Sequence, residues 1–146
     1  MIQTSTPSTS WVTRTSGTTN NLNGTTYGNE LFIVFGESGT ILTSTDGTSW
    51  TQRTSGSSSN LNEVIYGNGL YIVVGASGTI LTSSDGSSWT SRTSGVTVNL
   101  NGISYGNDLY VVVGASGTII TSSDGTSWTE RTSGTTNQLN AVTFSE

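Results

Sequence analysis

The side chains of this sequence that could do chemistry are carboxylates and guanidinium groups. The chain of 146 residues has 9 Asp and Glu residues, 4 basic residues that are all Arg, and no His or Cys. Without Lys, His and Cys, no Schiff-base lysine, imidazole base, thiol nucleophile or Cys/His zinc site can form. The formal net charge of -5 also opposes binding to a phosphate backbone, which depends on clustered Lys and Arg. We therefore expect no nucleic-acid partner, no bound metal and no cofactor.

The spacing of the charged residues argues against an active site. The arginines recur every 39 residues, at Arg14, Arg53, Arg92 and Arg131. Equivalent positions in successive repeats cannot converge on one substrate carboxylate. The acids that break the repeat fall at unrelated repeat positions: Glu30, Glu37, Glu63, Asp108, Glu130 and Glu146. A retaining glycosidase needs two carboxyl groups about 5 to 5.5 Å apart, and near-identical repeats rarely produce such asymmetry. The sequence predicts no enzymatic activity.

Almost every other position follows the same period, which indicates a duplicated structural unit. The recurring residues are Trp11, Trp50, Trp89 and Trp128; Leu22, Leu61, Leu100 and Leu139, each followed by Asn; and Tyr27, Tyr66, Tyr105 and Phe144.

Each unit is predicted to contain four short strands, here called A to D. In the third unit they are Leu100 to Tyr105, Leu109 to Val113, Thr118 to Ser122 and Ser127 to Arg131. Gly106-Asn107 suits the positive φ of a hairpin turn between strands A and B. Asp124-Gly125 is predicted to form a two-residue turn between strands C and D. No segment has helical periodicity.

The burial pattern indicates how the units pack. Strand B lacks alternation, so both of its faces must be covered, whereas strand D alternates and carries the Arg, as expected near an edge. A four-stranded meander of about 40 residues that is covered on both faces by its copies describes a β-propeller blade. Stacked solenoid sheets are the competing repeat architecture. We predict an all-β propeller, a single repeat domain over residues 1–146: a partial blade 1–17, blades 18–56, 57–95 and 96–134, and a terminal strand 135–146.

The strand count bears on closure of the ring. Met1 to Trp11 aligns with Thr40 to Trp50, with Pro7 and Ser8 in place of Asp and Gly, so the chain opens with strands C and D. Leu139 to Phe144 adds a lone strand A, which gives fifteen strands and about 3.5 to 4 blades per chain. The terminal strands could complete one blade within a chain, or pair between chains, because exposed strand edges invite pairing. We favour a homo-oligomer, and a dimer in particular.

Three segments, Ser44 to Trp50, Ser83 to Trp89 and Ser122 to Trp128, resemble the Asp-box (BNR) repeats of sialidase-like propellers. That family carries the motif between the third and fourth strands of a blade. Here Gly follows Asp directly and Trp comes at position seven, so the loop is one residue shorter. The resemblance does not extend to the sialidase active site. One carboxylate per hairpin supplies too few ligands for calcium. The resemblance therefore implies a structural role for the recurring Asp, Gly and Trp residues, which are Asp46, Gly47, Trp50, Asp85, Gly86, Trp89, Asp124, Gly125 and Trp128.

Two functions remain open. One is a self-assembling structural or interaction module, such as a phage virion component or an engineered propeller. The other is a multivalent lectin with one shallow glycan site per blade; its candidate residues are Asn23, Asn62, Asn101, Asn140, Tyr27, Tyr66 and Tyr105.

Two further expectations concern location. No apolar run approaches the length of a membrane helix, so we expect no membrane insertion. The residues from Met1 to Pro7 do not resemble a signal peptide, and the composition favours an extracellular or virion-surface location.

Overall fold

The computed structural model of the protein describes residues 1–5 and 10–145. These residues form fourteen short strands, joined by turns and three single-turn 3-10 segments. The strands are β1 (Ile2–Ser5), β2 (Trp11–Arg14), β3 (Leu22–Gly28), β4 (Leu31–Gly36), β5 (Ile41–Ser44), β6 (Thr51–Arg53), β7 (Leu61–Gly67), β8 (Leu70–Gly75), β9 (Ile80–Ser83), β10 (Thr90–Arg92), β11 (Leu100–Gly106), β12 (Leu109–Gly114), β13 (Ile119–Ser122) and β14 (Thr129–Arg131). Within the described ranges, no helix has the length and apolar character to cross a membrane.

The strands form one two-stranded hairpin and three four-stranded antiparallel meanders. We call the meanders blade 1 (β3 to β6), blade 2 (β7 to β10) and blade 3 (β11 to β14); each lies in chain order. The hairpin pairs β1 with β2 in the C and D positions, as predicted from its alignment with blade 1. The all-β fold and the four-stranded repeat unit are therefore confirmed.

The turn between strands A and B has the backbone that its sequence favours. In blade 3, Asn107 and Asp108 have φ values of 51° and 57°, and in blade 1 Asn29 and Glu30 have values of 46° and 60°. Positive φ at both central residues defines a type I′ hairpin turn, whose twist matches that of the flanking strands. The central turn residues are thus Asn107 and Asp108, one position later than the predicted pair Gly106-Asn107, because Gly106 is the last residue of β11.

The hydrophobic core lies between the blades, not within any one of them. One cluster joins blade 1 side chains such as Ile33 to blade 2 side chains such as Tyr71 and Val73. A second cluster joins Ile72 and Val74 of the same strand to blade 3. Neighbouring residues of a strand point to opposite faces, so β8 contributes to both clusters. The prediction that both faces of strand B are covered is confirmed for blade 2.

The link between strands C and D differs from the two-residue turn predicted from Asp-Gly. In blade 1, β5 ends at Ser44 and β6 begins only at Thr51. The reason is local hydrogen bonding: Asp46 Oδ1 accepts from the backbone N–H groups of Thr48 and Ser49, both at 2.8 Å. These amides are satisfied inside the loop, so strand pairing does not extend to them. We call the segments 45–50, 84–89 and 123–128 the Asp loops.

The ends of the chain differ in part from the expectation. Leu139 to Phe144 is not a strand, so the described strands number fourteen and not fifteen. Leu139 still donates its backbone N–H to the Gly114 oxygen at 3.0 Å, in the place where strand A of a further blade would begin. Among the described residues, no second strand lies beside the segment to complete a ladder. The Pro7 and Ser8 substitutions lie outside the described residues.

Candidate functional site

The faces at which blades meet carry the most specific contacts of the fold, and they are the candidate site. In each interface a tyrosine ring of one blade covers a glycine of the blade before it. A Cβ added to Gly67 would lie 2.8 Å from the Tyr105 ring, and Tyr66 covers Gly28 in the same way. Only glycine leaves room for this packing, because a real Cβ cannot approach an aromatic ring so closely. The predicted ligand-binding residues Tyr66 and Tyr105 therefore lie between blades.

A second tyrosine ties each pair of blades by its hydroxyl group. Tyr71 donates to the Gly28 carbonyl oxygen and Tyr110 to the Gly67 carbonyl oxygen, both at 2.6 Å. Burial raises the pKa of Tyr110 to about 12, with a smaller contribution from Tyr105. The sequence alone did not single out these two residues. The pattern that could have identified them is the aromatic residue that recurs every 39 residues at the second position of strand B, as Phe32, Tyr71 and Tyr110.

Asparagines on strand A form a third tie. Asn23 Nδ2 donates to the Leu61 oxygen at 2.7 Å, Asn62 Nδ2 to the Leu100 oxygen at 2.7 Å, and Asn101 Nδ2 to the Leu139 oxygen at 2.9 Å. We call this series the Asn ladder. Because each amide spans from one blade to the next, these three side chains are engaged within the fold. Their predicted role in glycan binding remains a prediction.

Asn140, the fourth asparagine of the repeat, has a different environment. Its side chain is exposed, and its Oδ1 accepts a hydrogen bond from Gln138 Nε2 at 2.7 Å. The structure therefore does not group the seven predicted ligand-binding residues into one pocket or into equivalent pockets. It distributes them over successive blade faces.

The two outer faces of the blade array leave contact residues uncovered. On blade 1, the Tyr27 ring packs on Phe32 with centroids 4.5 Å apart, yet Tyr27 is 58% exposed, because no blade in the described part of the chain covers it. We call these two residues the leading face. On blade 3, Leu109 is 38% exposed, whereas the equivalent Leu70 packs against Gly125 of the next Asp loop. We call the face around Leu109 the trailing face.

The Asp loops stabilise the outer hairpin of each blade. In blade 2, Asp85 Oδ1 accepts from the backbone N–H groups of Ser87 at 2.7 Å and Ser88 at 2.9 Å, and from the Ser83 hydroxyl at 3.0 Å. The hydrogen bond from Ser88 is the main cause that lowers the pKa of the Asp85 carboxyl, followed by that from Ser87. Equivalent donors lower the pKa of Asp46 and Asp124.

The glycines and tryptophans of the Asp loops complete this arrangement. Gly47, Gly86 and Gly125 have φ values near 70°, between 69° and 72°, which favours glycine. Trp89 is partly buried and donates its Nε1–H to the Gly86 oxygen at 3.1 Å. Trp50 and Trp128 have buried Nε1 atoms without a partner among the described residues. Within those residues, no group of three or more His, Cys, Asp or Glu side chains could hold a metal ion.

The arginines lie on the last strand of each sheet and are held by a repeated contact. Arg53 Nε donates to Thr43 Oγ1 at 2.8 Å, and the other three arginines make the equivalent bond at 2.9 to 3.1 Å. Arg53 and Arg131 line equivalent grooves of about 600 and 840 Å³ next to Ser/Thr-rich loops. The fold thus keeps the guanidinium groups apart, one per outer strand.

Burial distinguishes one of the acids. Glu63 lies on strand A of blade 2, where blades 1 and 3 have Gly24 and Gly102. Desolvation by burial raises the pKa of its carboxyl.

Comparison with known proteins adds one finding. A family model described as the DUF6242 beta propeller domain matches residues 53–139, which is more than half of the chain. The matched segment runs from the last strand of blade 1 to Leu139, and so includes blades 2 and 3. No curated protein matches the chain.

Proposed function

Because this chain belongs to the DUF6242 β-propeller domain family, we propose that it is a non-enzymatic interaction module that associates through its blade faces. The observation that carries the proposal is the exposure of the leading face. Tyr66 and Tyr105 are covered at the internal interfaces, whereas Tyr27 is 58% exposed at the equivalent position. The leading face has the kind of residues that contact a neighbouring blade inside the chain, but no described blade covers it. Such an exposed apolar face is suited to bind another blade.

The trailing face supports the same function. The strand A place of this face is held by the chain's own segment 139–145, where the Phe144 ring covers Gly106, and Leu109 marks the part that stays exposed. Inside the chain the equivalent Leu31 and Leu70 contact the glycine of the next Asp loop, so the leading face and this exposed part present portions of an interface that the molecule already contains twice. Complementary halves on opposite ends favour head-to-tail association, which closes into rings if the rotation permits.

A non-enzymatic role agrees with the placement of the ionisable groups. Each Arg lies on a different blade or hairpin, at the outer edge of its sheet. The carboxylates of the Asp loops accept hydrogen bonds from their own backbone. The carboxylates of the Asp loops are therefore engaged within their own hairpins, which favours a structural role for them.

We further infer that the Asp loops are Asp-box hairpins one residue shorter than the usual form. The support is the combination of an Asp carboxylate that caps two backbone N–H groups, a glycine at positive φ and a tryptophan at the end of the loop. These contacts explain the motif by stability alone, without a ligand.

The test is the mass of the protein in solution over a range of concentrations. The proposal predicts a mass that rises above the 15.2 kDa of one chain as the concentration increases. Replacement of Tyr27 by Arg should return the mass to one chain, whereas Gln52→Glu, an exposed change on β6, should leave association intact. A wild-type mass of one chain at every concentration would contradict the proposal.

A second candidate function is glycan binding, and the repeated grooves beside Arg53 and Arg131 favour it. Both grooves combine a guanidinium group with hydroxyl-bearing side chains, which are suitable partners for sugar hydroxyl and carboxylate groups. Several weak sites on one array would act together through avidity. A glycan array tests this candidate: binding that is lost in Arg53→Ala and Arg131→Ala supports it, and no binding on a broad panel removes it.

A further inference from the structure

We infer that Asn68 is a site of spontaneous covalent modification, at which the side-chain amide is lost to give aspartate and isoaspartate. The reaction is an attack by the backbone nitrogen of Gly69 on the preceding side chain, and it needs no enzyme. The site lies in the turn between strands A and B of blade 2. Because the modification requires no partner chain, it goes beyond the proposed function.

The chemistry joins a side chain to the backbone nitrogen that follows it. The nitrogen of Gly69 bonds to Cγ of Asn68, the Cγ–Nδ2 bond breaks, and the proton from the attacking nitrogen leaves with the amide group as ammonia. Water then opens the resulting succinimide ring. Opening at Cγ gives aspartate, whereas opening at the backbone carbonyl carbon gives isoaspartate, in which the main chain runs through the former side chain. No oxidant or reductant is needed, because the net change is hydrolysis of an amide.

Glycine is the residue that leaves the attacking nitrogen most accessible, because it has no Cβ beside that nitrogen. The chain contains three Asn-Gly pairs, which begin at Asn23, Asn68 and Asn101. By sequence alone the three pairs are equivalent. Their surroundings in the fold distinguish them.

Two of the three pairs are held inside the fold. Asn23 Nδ2 donates to the Leu61 oxygen at 2.7 Å, and Asn101 Nδ2 donates to the Leu139 oxygen at 2.9 Å. The glycine after each of them lies in strand A and is paired with strand B of the same blade. The amide group that must leave is therefore engaged, and strand pairing restrains the backbone rotation that the attack requires.

The pair at Asn68 lies outside these restraints. Both Asn68 and Gly69 are exposed, with φ values of 49° and 76°. Gly67 and Leu70 form the last pair of the ladder between β7 and β8, so the two residues of the turn take no part in strand pairing. The side-chain amide and the attacking nitrogen are thus both open to water.

The repeat supplies two internal comparisons. Blades 1 and 3 have the same turn, with Asn29-Glu30 and Asn107-Asp108 at positive φ. The first residue is Asn in all three blades, and only the second residue differs. The side chains of Glu30 and Asp108 crowd the nitrogen that would attack, whereas Gly69 leaves it open. We therefore expect Asn68 to react faster than its two equivalents.

The modified turn adjoins the contacts that join blades 2 and 3. Gly67 precedes Asn68, and its carbonyl oxygen accepts the hydrogen bond from the Tyr110 hydroxyl group at 2.6 Å. The Tyr105 ring covers the same glycine. Isoaspartate adds a carbon atom to the main chain of a turn whose length sets the pairing of β7 with β8. Formation of isoaspartate should therefore displace the Gly67 carbonyl group and weaken this blade interface.

Incubation of the full chain at mildly alkaline pH, followed by peptide mapping with mass spectrometry, tests the inference. Asn68 should lose its amide about tenfold faster than Asn29 or Asn107. Gly69→Asp gives blade 2 the turn that blade 3 already has, and it should lower the rate at Asn68 to that at Asn107. Asp108→Gly makes the reverse exchange and should raise the rate at Asn107 to that at Asn68.

Equal rates at Asn68 and Asn107 in the wild-type protein would overturn the inference, and so would unchanged rates in both exchange variants. The melting temperature of the incubated wild-type protein should fall as its isoaspartate content rises. Gly69→Asp, incubated in parallel, should keep its melting temperature. A wild-type protein that accumulates isoaspartate at position 68 without any loss of stability would contradict the effect on the interface between blades 2 and 3.

Discussion

The side-chain amide of Asn101 donates a hydrogen bond to the carbonyl oxygen of Leu139 at 2.9 Å, across the boundary between blade 3 and the segment that follows it. The contact repeats those from Asn23 and Asn62, although Leu139 belongs to no strand. The hydrogen bond that joins successive blades is therefore also present beyond the last strand of blade 3. The basis for treating the outer faces as binding surfaces is the exposure of Tyr27 and Leu109.

The Asn ladder should contribute measurably to stability. Asn62→Ala removes the hydrogen bond to the Leu100 oxygen, and we expect a loss of about 1 kcal/mol in the free energy of unfolding. For a chain of this size the melting temperature should fall by about 3 °C. Calorimetry would measure the change, with Gln52→Thr on the exposed face of β6 as the control. An unchanged melting temperature would show that the amide has no net role in the fold.

The hydroxyl group of Tyr110 can be removed without loss of its ring. Tyr110→Phe leaves the Gly67 oxygen without its 2.6 Å donor, at a cost of about 1 to 2 kcal/mol. A spectrophotometric titration should also lose the tyrosine with a pKa of about 12. Phe32→Tyr is the matched reverse change in blade 1, where no preceding blade offers an acceptor, and it should not stabilise the isolated chain. If it did, the assigned geometry of the leading face would be wrong.

Glycine at position 67 is required by packing, not by backbone conformation. Gly67→Ala would place a Cβ 2.8 Å from the Tyr105 ring, and we expect a loss of about 1 to 3 kcal/mol from overpacking. Gly56→Ala provides the contrast, because Gly56 has a φ of 73° and no atom within 4 Å of its Cβ position. That variant should lose about 1 kcal/mol through backbone strain alone. Urea unfolding would compare the two, and equal losses would contradict the assignment of Gly67 to the blade interface.

The sequence predicted more of the fold than of the candidate site. The unbroken apolar run of strand B showed that its two faces are covered, and the Gly-Asn pairs showed where the chain reverses. Both features depend on neighbours within a few residues. The repeat then extended the interpretation to every blade.

The contacts of the Asn ladder depend on how successive blades pack, and the length of the Asp loops depends on local hydrogen bonds. Residue spacing alone predicts neither. Asn23 meets Leu61 only because successive blades pack at a particular rotation, so the repeated Asn alone left both a ligand-binding role and a structural role open. The Asp loop is longer than an Asp-Gly turn because Asp46 caps two amides. The segment at Leu139 was predicted as a strand from its match to Leu100, but a strand also needs a paired neighbour.

The carboxylates of the Asp loops should make the fold sensitive to acid. Hydrogen bonds from Ser88 and Ser87 hold the pKa of Asp85 below its ordinary value of 3.8 in the folded state, so its contribution to stability is present above that pH and is lost as the pH falls. Asp85→Asn should reduce stability at neutral pH, and the difference from wild type should shrink as the pH falls below 3.8. Urea midpoints over this pH range would show the convergence, and a difference that stays constant with pH would contradict it.

The contribution of Glu63 to stability should have the opposite pH dependence to that of Asp85. Burial raises the pKa of its carboxyl above the ordinary value of 4.5, so its contribution to stability is lost as the pH rises through the pKa of the folded state. Glu63→Gln should therefore stabilise the protein at neutral pH and have little effect in acid. A destabilised Glu63→Gln variant at neutral pH would indicate a favourable partner for the carboxylate.

Head-to-tail association is tested most directly by mixing two chains that each lack one face. Tyr27→Arg disables the leading face, and Leu109→Asp disables the trailing face; alone, each variant should sediment with the 15.2 kDa mass of one chain. Mixed in equal amounts, the intact trailing face of the first should bind the intact leading face of the second and give a species of about 30 kDa. A mixture in which every molecule retains the mass of one chain, at concentrations where the wild type associates, would contradict the account.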